Sequence, residues 1–348
     1  MKPPDAPASG APTPAPRRRS AAPVPWVLVE TLFDQDRGAV VAEGASPREF
    51  TRVTRSRLAQ DTLRTPHLAK MLPTVVDDCL VAASPQVRAV HTPLPPPLRV
   101  YAVPVLDPTN AVLGVQLWGG PRAMVPPPRP TVATLTWNSR DQLMTSSAAL
   151  EQFLGTGETT ARHRALPDFL QHFEQIDRVG LLRLCDTNTA PATFSSTAVS
   201  ADHGDGIRRH LHIAARNDGA GAMRALIHDI GTVVATPAPH MQSLLMRAAP
   251  LHPDHAVAVM DLATGLIHDW LAPEGSPLHR GIVEVPRIHP ADIGDCVRVR
   301  KELLGGANNR LNDFRITFDQ HTWLQLSVHW HVLTRQTSPQ AMLSVLQQ

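Results

Sequence analysis

The chain has 348 residues, 43% of them hydrophobic and 18% charged, which is enough apolar material for two or three packed domains. Its net charge of +2 excludes a chain-wide electrostatic attraction to nucleic acid. Cys79, Cys185 and Cys296 are far apart in the sequence and form no C-x-x-C pair. They argue against a disulfide framework and favour a reducing cytoplasm, with each thiol predicted to be buried.

Proline-rich stretches divide the chain. Residues 1–24, rich in Pro, Ala and Arg, cannot bury apolar surface and are predicted to be disordered. Residues 121–130 are proline-rich and are predicted to be a semi-rigid linker. Residues 236–253 form a weaker break with a short helix. The predicted units are therefore 25–120, 131–235 and 254–334, with a C-terminal tail at 335–348 in one or two helical turns.

The first unit opens with a predicted strand at 26–32. A helix is predicted to begin at 46–49, because Ser46 can cap it, Pro47 suits its first turn and Glu49 completes a capping box. A second helix is predicted at 75–83. The unit closes with two strands at 98–105 and 111–118, joined by the turn sequence Asp-Pro-Thr-Asn.

The second and third units follow one plan of strand, hairpin or turn, short helices and long paired strands. In the second unit, the predicted strands and helices are 132–138, 146–155, a helix opening at Pro167, 193–199, 207–215 and 224–231. In the third unit, they are a hairpin at 255–271, a helix at 289–304 stopped by Gly305 and Gly306, and strands at 310–318 and 323–333.

This plan resembles the PAS sensor module. The ending Asp229-Ile-Gly231 is similar to the Asp-Ile-Thr ending of PAS sheets, and the helix opening at His289-Pro-Ala-Asp292 resembles the long PAS helix. The hairpin at 103–118 resembles the terminal hairpin of the related GAF domains. The resemblance implies an α+β fold of tandem PAS/GAF-like modules, each an antiparallel sheet with short helices on one side. Low lysine, high proline and abundant alanine are also typical of a high-GC genome, such as that of an actinobacterium or one of its phages.

A curved sheet capped by helices leaves a concave apolar face that either closes over a small ligand or packs on its own side chains. In the second unit we expect either a pocket or an ordinary core lined by Leu135, Trp137, Phe153, Leu154, Phe169, Leu211 and Ile213. Since some PAS domains bind haem through one histidine, His172, on a predicted helix, is the candidate ligand for haem. No other cofactor is predicted.

Two histidine pairs, His210 with His212 and His329 with His331, each share one strand face because strand side chains alternate. The opposite face is apolar in both strands, so the histidines are predicted to point outward, to solvent, a partner module or a dimer contact. No Cys or carboxylate follows at ligand spacing, so no metal site is predicted. The repeated His-Asp dipeptides at 228–229 and 268–269 fall at strand ends and are interpreted as structural.

No catalytic residue is predicted, because nucleophile-elbow, P-loop and dinucleotide-binding motifs are missing. The sequence favours a cytoplasmic, non-enzymatic sensing or regulatory protein that binds a protein partner or itself, with a small-molecule ligand as an option. The alternatives are a haem or small-metabolite sensor with a pocket in 131–235, and an enzyme of unrecognised type. Neither nucleic-acid binding nor a membrane segment is expected, since stacking aromatics and a long apolar run are missing.

Overall fold

A computed structural model describes residues 25–33, 38–60, 66–90, 97–157, 160–186, 190–201, 208–232, 251–319, 321–336 and 338–348. The predictions for residues 1–24 and for a short helix at 241–246 lie outside these residues. Three curled antiparallel sheets dominate the mixed fold, as the sequence predicts at the level of strand content and direction. None of the described helices combines the length and apolar content needed to cross a membrane.

The N-terminal unit is a six-stranded sheet. Its strands are β1 (Val27–Glu30), β2 (Ala39–Glu43), β3 (Ser46–Arg52), β4 (Gln86–Val90), β5 (Leu98–Leu106) and β6 (Val112–Pro121), in the spatial order β3-β2-β1-β6-β5-β4. A 3₁₀ turn at Val53–Arg55, α1 (Arg57–Gln60) and α2 (Pro66–Ala82) follow β3. The apolar stripe of α2, including Leu68, Leu72 and Val76, packs against one face of the sheet.

The predicted helix at 46–49 is wrong, since these residues open strand β3. Thr51 pairs with Val40 and Pro47 with Ala42, across an irregularity in the register. Strand β3 lies at the edge of the sheet and has a neighbour on one side only. A proline at position 47 is tolerated there because its missing N–H does not remove a hydrogen bond from the interior of the sheet. Tertiary pairing with a buried neighbour therefore overrides the local capping-box signal.

The middle unit is a seven-stranded sheet with the order β10-β11-β12-β13-β7-β8-β9. Its strands are β7 (Val132–Asn138), β8 (Leu143–Ser146), β9 (Arg162–Ala165), β10 (Phe173–Gln175), β11 (Thr193–Ser200), β12 (Arg209–Asn217) and β13 (Ala222–Thr232). Its helices α3 (Ala148–Phe153), α4 (Leu166–Leu170) and α5 (Arg178–Leu184) all pack on one face of that sheet. Helix α3 is capped by Ser147, whose side chain accepts a hydrogen bond from the Leu150 N–H.

The C-terminal unit is a six-stranded sheet with the order β15-β14-β19-β18-β17-β16. Its strands are β14 (His255–Asp261), β15 (Ile267–Leu271), β16 (Arg287–Ile288), β17 (Asn309–Thr317), β18 (Leu324–Thr334) and β19 (Gln340–Gln347). A 3₁₀ helix at Pro277–Ile282 and α6 (Ile293–Leu304) cover one face. The sequence predicts α6 and the two strands that follow it, β17 and β18, closely.

The prediction of helical turns in the C-terminal tail is wrong, because residues 340–347 form strand β19. This strand is central: it pairs with β14 along one edge and with β18 along the other. Ala341, Leu343 and Val345 are buried while the residues between them are more exposed, an alternation of period two that a strand requires. With β19 in place, the C-terminal sheet has six strands.

The N-terminal and middle sheets pack against each other through the faces that carry no helix. Leu28, Val41 and Leu113 of the first sheet form one buried cluster with Ala214 and Leu226 of the second. In all three sheets, the first strand of the unit lies between its second and last strands. The face of the C-terminal sheet that carries no helix has exposed side chains, among them Leu311.

Candidate functional site

A cavity of about 1060 Å³ lies in the C-terminal unit, on the side where the middle unit meets it. This volume is slightly above the range found for small-molecule pockets, roughly 300 to 1,000 Å³. The concave face of the sheet forms its floor, α6 forms one wall, and the segment 281–288 forms another. The β8–β9 region of the middle unit closes the remaining side.

The floor is apolar because alternate residues of three neighbouring strands face the same way. Phe314 and Ile316 on β17, Leu326 and Trp330 on β18, and Leu343 on β19 line it. The next strand, β14, places Ala256, Ala258 and Met260 on the same face; both alanines are buried, and Met260 lines the cavity. The two alanine side chains contribute little volume to the interior.

Helix α6 presents Ile293, Cys296, Val297 and Arg300 to the cavity, the i, i+3, i+4, i+7 spacing of one helical face. Its neighbouring stripe, which includes Val299 and Leu303, packs on the sheet. Ile293 is 48% exposed and Val297 37% exposed even though both are apolar. The helix therefore carries a second apolar stripe that the protein's own side chains leave uncovered.

Two tryptophans in the wall are held in fixed orientations by their indole N–H groups. Trp270 donates to the carbonyl oxygen of Leu278 at 2.8 Å, and Trp330 donates to Asn312 Oδ1 at 2.6 Å. With their polar edges satisfied, the rings offer apolar faces to the cavity. Gly281 permits the close packing, since a Cβ at that position would lie 2.4 Å from the Trp270 ring.

Arg300 is the half-buried cation of the wall. Its Nη1 donates to the carbonyl oxygen of Thr264 at 3.3 Å, and its Nε is buried without a hydrogen-bond partner among the described residues. Gly265, at the tip of the β14–β15 hairpin, has φ +80° and lies against the same guanidinium. A Cβ there would be 2.0 Å from Nη1, so only glycine accommodates both the turn and the arginine.

Cys296 also faces the cavity, and burial raises the pKa of its thiol to about 11. The thiol is therefore protonated at neutral pH and is a poor nucleophile. His163, in the middle-unit wall, has its Nδ1 2.9 Å from Thr145 Oγ1. Among the described lining residues there is no serine, threonine, tyrosine or lysine.

The middle unit is fixed to the C-terminal unit beside the cavity. Leu266 of the C-terminal unit is buried in the apolar core of the middle unit, and Arg178 of α5 forms an ion pair with Asp269 of β15. Burial alone would raise the pKa of Asp269, but His268 and Arg178 beside it outweigh that effect and lower it. The boundary between the two units is thus a packed, charge-paired contact.

The structure places the predicted pocket residues of the middle unit in its packed core. All seven apolar residues, Leu135, Trp137, Phe153, Leu154, Phe169, Leu211 and Ile213, are buried in one cluster with the helices of this unit. They are brought together as the sequence indicates, in the core arrangement that was one of the two expectations. The described cavity lies in the neighbouring unit instead.

His172, the candidate haem ligand, takes part in a buried ionic network. Its Nε2 lies 3.1 Å from Arg164 Nη1, which also donates to Asp168 at 2.7 Å. Arg164 pairs with Glu151 as well, and both side chains are fully buried. Burial alone would raise the pKa of Glu151, but hydrogen bonds from Arg164, Ser146 and Thr156 outweigh it and lower the pKa.

The two histidine pairs differ in their surroundings. His329 and His331 lie on the outer face of β18, opposite the buried Leu326, Val328 and Trp330, as the alternation predicts. His212, in contrast, is buried on the face of the middle sheet that meets the N-terminal sheet, next to His228 at 5.0 Å between ring centroids. Among the described residues, no three His, Cys, Asp or Glu side chains come together as metal ligands would.

The cavity residues Trp270, Ile293, Val297, Arg300 and Trp330 were not singled out as a site by the sequence analysis. One feature of the sequence indicates these residues. Helix α6 carries apolar residues on two adjacent stripes, whereas a helix packed on a single sheet requires only one. The small inward residues of β14 are a second signal. Neither signal indicates a cavity until the curvature of the sheet is known.

Comparisons with known proteins place the chain beside mycobacterial sequences. Residues 25–128 match a family model described as Rv3651-like, N-terminal. A crystal structure of an uncharacterised protein from Mycobacterium tuberculosis is similar over 92% of this chain and 95% of that chain, with a TM-score of 0.67 and 22% identity. At this identity the likeness shows the fold alone. The structure of an RNA-binding light-oxygen-voltage receptor covers 62% of this chain and 95% of its own, but its 10% identity and TM-score of 0.23 carry no argument.

No curated protein matches the chain. The first unit of this chain therefore matches the Rv3651-like N-terminal domain, and the chain as a whole has the fold of the mycobacterial protein.

Proposed function

We propose that this is a non-enzymatic regulatory protein built from PAS- and GAF-type units, and that it binds a small molecule in the C-terminal unit. The single observation that carries the proposal is the cavity of about 1060 Å³ with fixed apolar walls and few polar groups. Binding pockets have this composition, because apolar surface supplies affinity and a few polar groups supply orientation.

The PAS and GAF assignment is supported by the curled antiparallel sheets, each with helices across one face. The non-enzymatic character is supported by the lining, whose thiol is protonated and whose histidine contacts a threonine hydroxyl. We propose, as the sequence predicts, that the protein acts by binding to itself or to a separate output protein.

The position of the candidate ligand does not support the haem alternative. His172 was its candidate ligand, and that ring is held between Arg164 and Asp168 in the core of the middle unit. Axial ligation through His172 Nε2 would have to give up its 3.1 Å contact with Arg164 Nη1. A small organic ligand in the neighbouring unit requires no such disruption.

The proposal is tested by filling the cavity. The double variant Ile293→Trp/Val297→Trp places two indoles on the uncovered stripe of α6, while Val81→Trp/Val87→Trp adds the same groups at exposed positions of the N-terminal unit. Nile red, an uncharged dye, serves as the fluorescent probe alongside native mass spectrometry of freshly purified protein. We expect the cavity variant to bind the dye at least about tenfold more weakly than wild type and the control to match wild type.

The opposite result is equally clear. If wild-type protein leaves Nile red fluorescence unchanged and native spectra show only the bare chain, the C-terminal unit is not a binding site and the proposal is wrong.

A further inference from the structure

We infer that the ligand of this cavity is an amphipathic anion, with an apolar body against the sheet and α6 and one oxyanion group at Arg300. The inference rests on the proposed function, since it assumes that the cavity binds a small molecule. It adds the chemical class of that molecule, an oxyanion such as a carboxylate or a phosphate monoester on an apolar chain or ring.

The first observation is that Arg300 carries a charge with no acidic partner. No Asp or Glu oxygen lies within 4.0 Å of its guanidinium among the described residues, and its one described hydrogen bond is the 3.3 Å contact to Thr264. A guanidinium has five N–H donors in a planar fork. Leaving most of them unmatched at a half-buried position is unfavourable unless another group supplies the acceptors.

The second observation is the contrast with a neighbour on the same helix. Arg298 lies two residues away, points away from the cavity floor, and is bound to Glu302 at 2.9 Å and Asp295 at 3.1 Å. Among the described residues, acids therefore pair with the arginine that has no role at the cavity, and none pairs with the arginine that lines it. This difference is expected if the missing acceptor comes from a ligand.

The third observation is the sign of charge around the cavity. Arg140 and Arg287 also line it and have no acid within ion-pair distance among the described residues. Of the two lining acids, Glu284 is already paired with Arg280 at 2.8 Å, and Asp141 accepts a hydrogen bond from the Leu143 N–H at 3.3 Å, so three arginines face one unpaired carboxylate. The free charge at the rim is therefore mainly positive. Such a rim attracts anions and orients them with the charged end outermost.

The fourth observation concerns the remaining walls, which are apolar and fixed. Beyond the arginines, the interior is formed by Trp270, Trp330, Phe314, Ile316, Ile293 and Val297. A small inorganic anion would leave these surfaces unoccupied. An apolar body attached to the anion would cover them and gain free energy in proportion to the area removed from water.

The test uses four probes with the same ten-carbon chain: decanoate, decyl phosphate, decanol and decyltrimethylammonium. Binding to the full-length protein is measured by isothermal titration calorimetry below the micelle concentration of each probe. We expect at least one anionic probe to bind about tenfold or more tightly than decanol, and the cation to bind most weakly. The tighter of the two anions identifies the headgroup.

Three variants assign the preference to Arg300. Arg300→Gln should lose the preference for anion over alcohol while decanol affinity stays unchanged. Arg300→Lys should keep a preference, because the charge remains. Arg298→Gln, the matched control on the same helix, should behave as wild type. Circular dichroism melting of all three checks that the fold is intact.

The failures are distinguishable. If decanol binds as tightly as both anions, or if Arg300→Gln retains the wild-type preference, the inference of an anionic ligand is overturned while the cavity still stands as a binding site. If none of the four probes binds and Nile red does not bind either, the proposed function fails and the inference fails with it.

Discussion

At the scale of single residues, the polar groups inside this protein are defined by partners that are distant in sequence. Arg164 is one example, because Glu151, 13 positions away, and Asp168 on the following helix together neutralise a fully buried guanidinium. The adjacent residues His163 and Ala165 face the cavity, so this network fixes the strand that forms one cavity wall. A buried ion pair tolerates the loss of neither partner.

His212 and His228 form a second buried polar pair, on cross-strand neighbouring positions of β12 and β13. Ser195 Oγ lies 2.9 Å from His212 Nε2, whereas neither ring nitrogen of His228 has a described partner. Burial lowers the pKa of His212 to about 4 and that of His228 to about 3, from an ordinary value of 6.5. Both rings are therefore uncharged in the folded protein at neutral pH.

This pair predicts a fall in stability under mildly acidic conditions. Because the folded-state pKa values lie below 6.5, the unfolded chain binds more protons as the pH drops from 6.5 towards 4, and unfolding becomes easier. At pH 5 the loss should be on the order of 2 kcal/mol per histidine. Urea unfolding between pH 7 and pH 5 measures it.

The control for this measurement uses an exposed histidine. His212→Gln/His228→Gln should flatten the pH dependence over this interval, while His321→Gln should leave it as in wild type, since His321 is exposed. An unchanged slope in the double variant would show that these histidines are protonated in the folded protein.

At the scale of elements, strands β3 and β19 show how tertiary pairing decides between competing local patterns. Residues 46–49 have the composition of a helix start, and residues 338–348 were expected to form helical turns, yet both segments are strands. In β19 the buried positions alternate strictly, whereas in β3 the register is interrupted. Strand β19 fills what would otherwise be a gap between β14 and β18, whereas β3 extends its sheet beyond β2 as the edge strand.

The central position of β19 gives a prediction about the C-terminal residues. Leu343 is buried between β14 and β18, so Leu343→Asp places an unpaired charge in the core and should destabilise the protein by about 3 kcal/mol or more. Leu346→Asp, at a 39% exposed position of the same strand, should cost less than about 1 kcal/mol. Thermal unfolding followed by circular dichroism compares the two variants. Equal tolerance of both would indicate a peripheral tail.

At the scale of the whole molecule, the three sheets are linked in two different ways. The N-terminal and middle sheets pack face to face through apolar side chains, while Arg216 and Arg224 of the middle sheet reach Glu30 and the carbonyl oxygen of Leu32. The middle and C-terminal units meet through Leu266 and the Arg178–Asp269 pair, beside the cavity. A ligand in the cavity therefore touches both of the units that enclose it.

The contact between the first two sheets depends on Gly114. A Cβ at this position would lie 2.7 Å from Leu226 Cδ1 and 2.9 Å from the Val29 carbonyl oxygen, so Gly114→Ala should force the sheets apart and cost about 1 to 3 kcal/mol. Gly294→Ala is the matched control, because no atom lies within 4 Å of the added Cβ and alanine favours the helix. Urea unfolding measures both. A neutral Gly114→Ala would mean that this packing is loose.

The sequence by itself determined the local part of this protein. Alternation in β7, β12 and β18, the Asp-Pro-Thr-Asn turn, and the glycine stop after α6 are all contained within a few neighbouring residues, so they predict the hairpins, the helix and the three-unit order. The same short-range patterns indicated that Leu135, Leu211 and Ile213 face one interior.

Tertiary structure alone decided which interior is filled and which is open. The same alternation of apolar residues lines the packed core of the middle unit and the cavity of the C-terminal unit, so pattern cannot separate them. The difference comes from the side-chain volume that the covering helices supply. Three helices cover the middle sheet, whereas α6 and one 3₁₀ helix cover the C-terminal sheet. Volume and charge balance, such as the lack of an acidic partner for Arg300 within the described ranges, depend on contacts between distant segments, and these are set only when the chain folds.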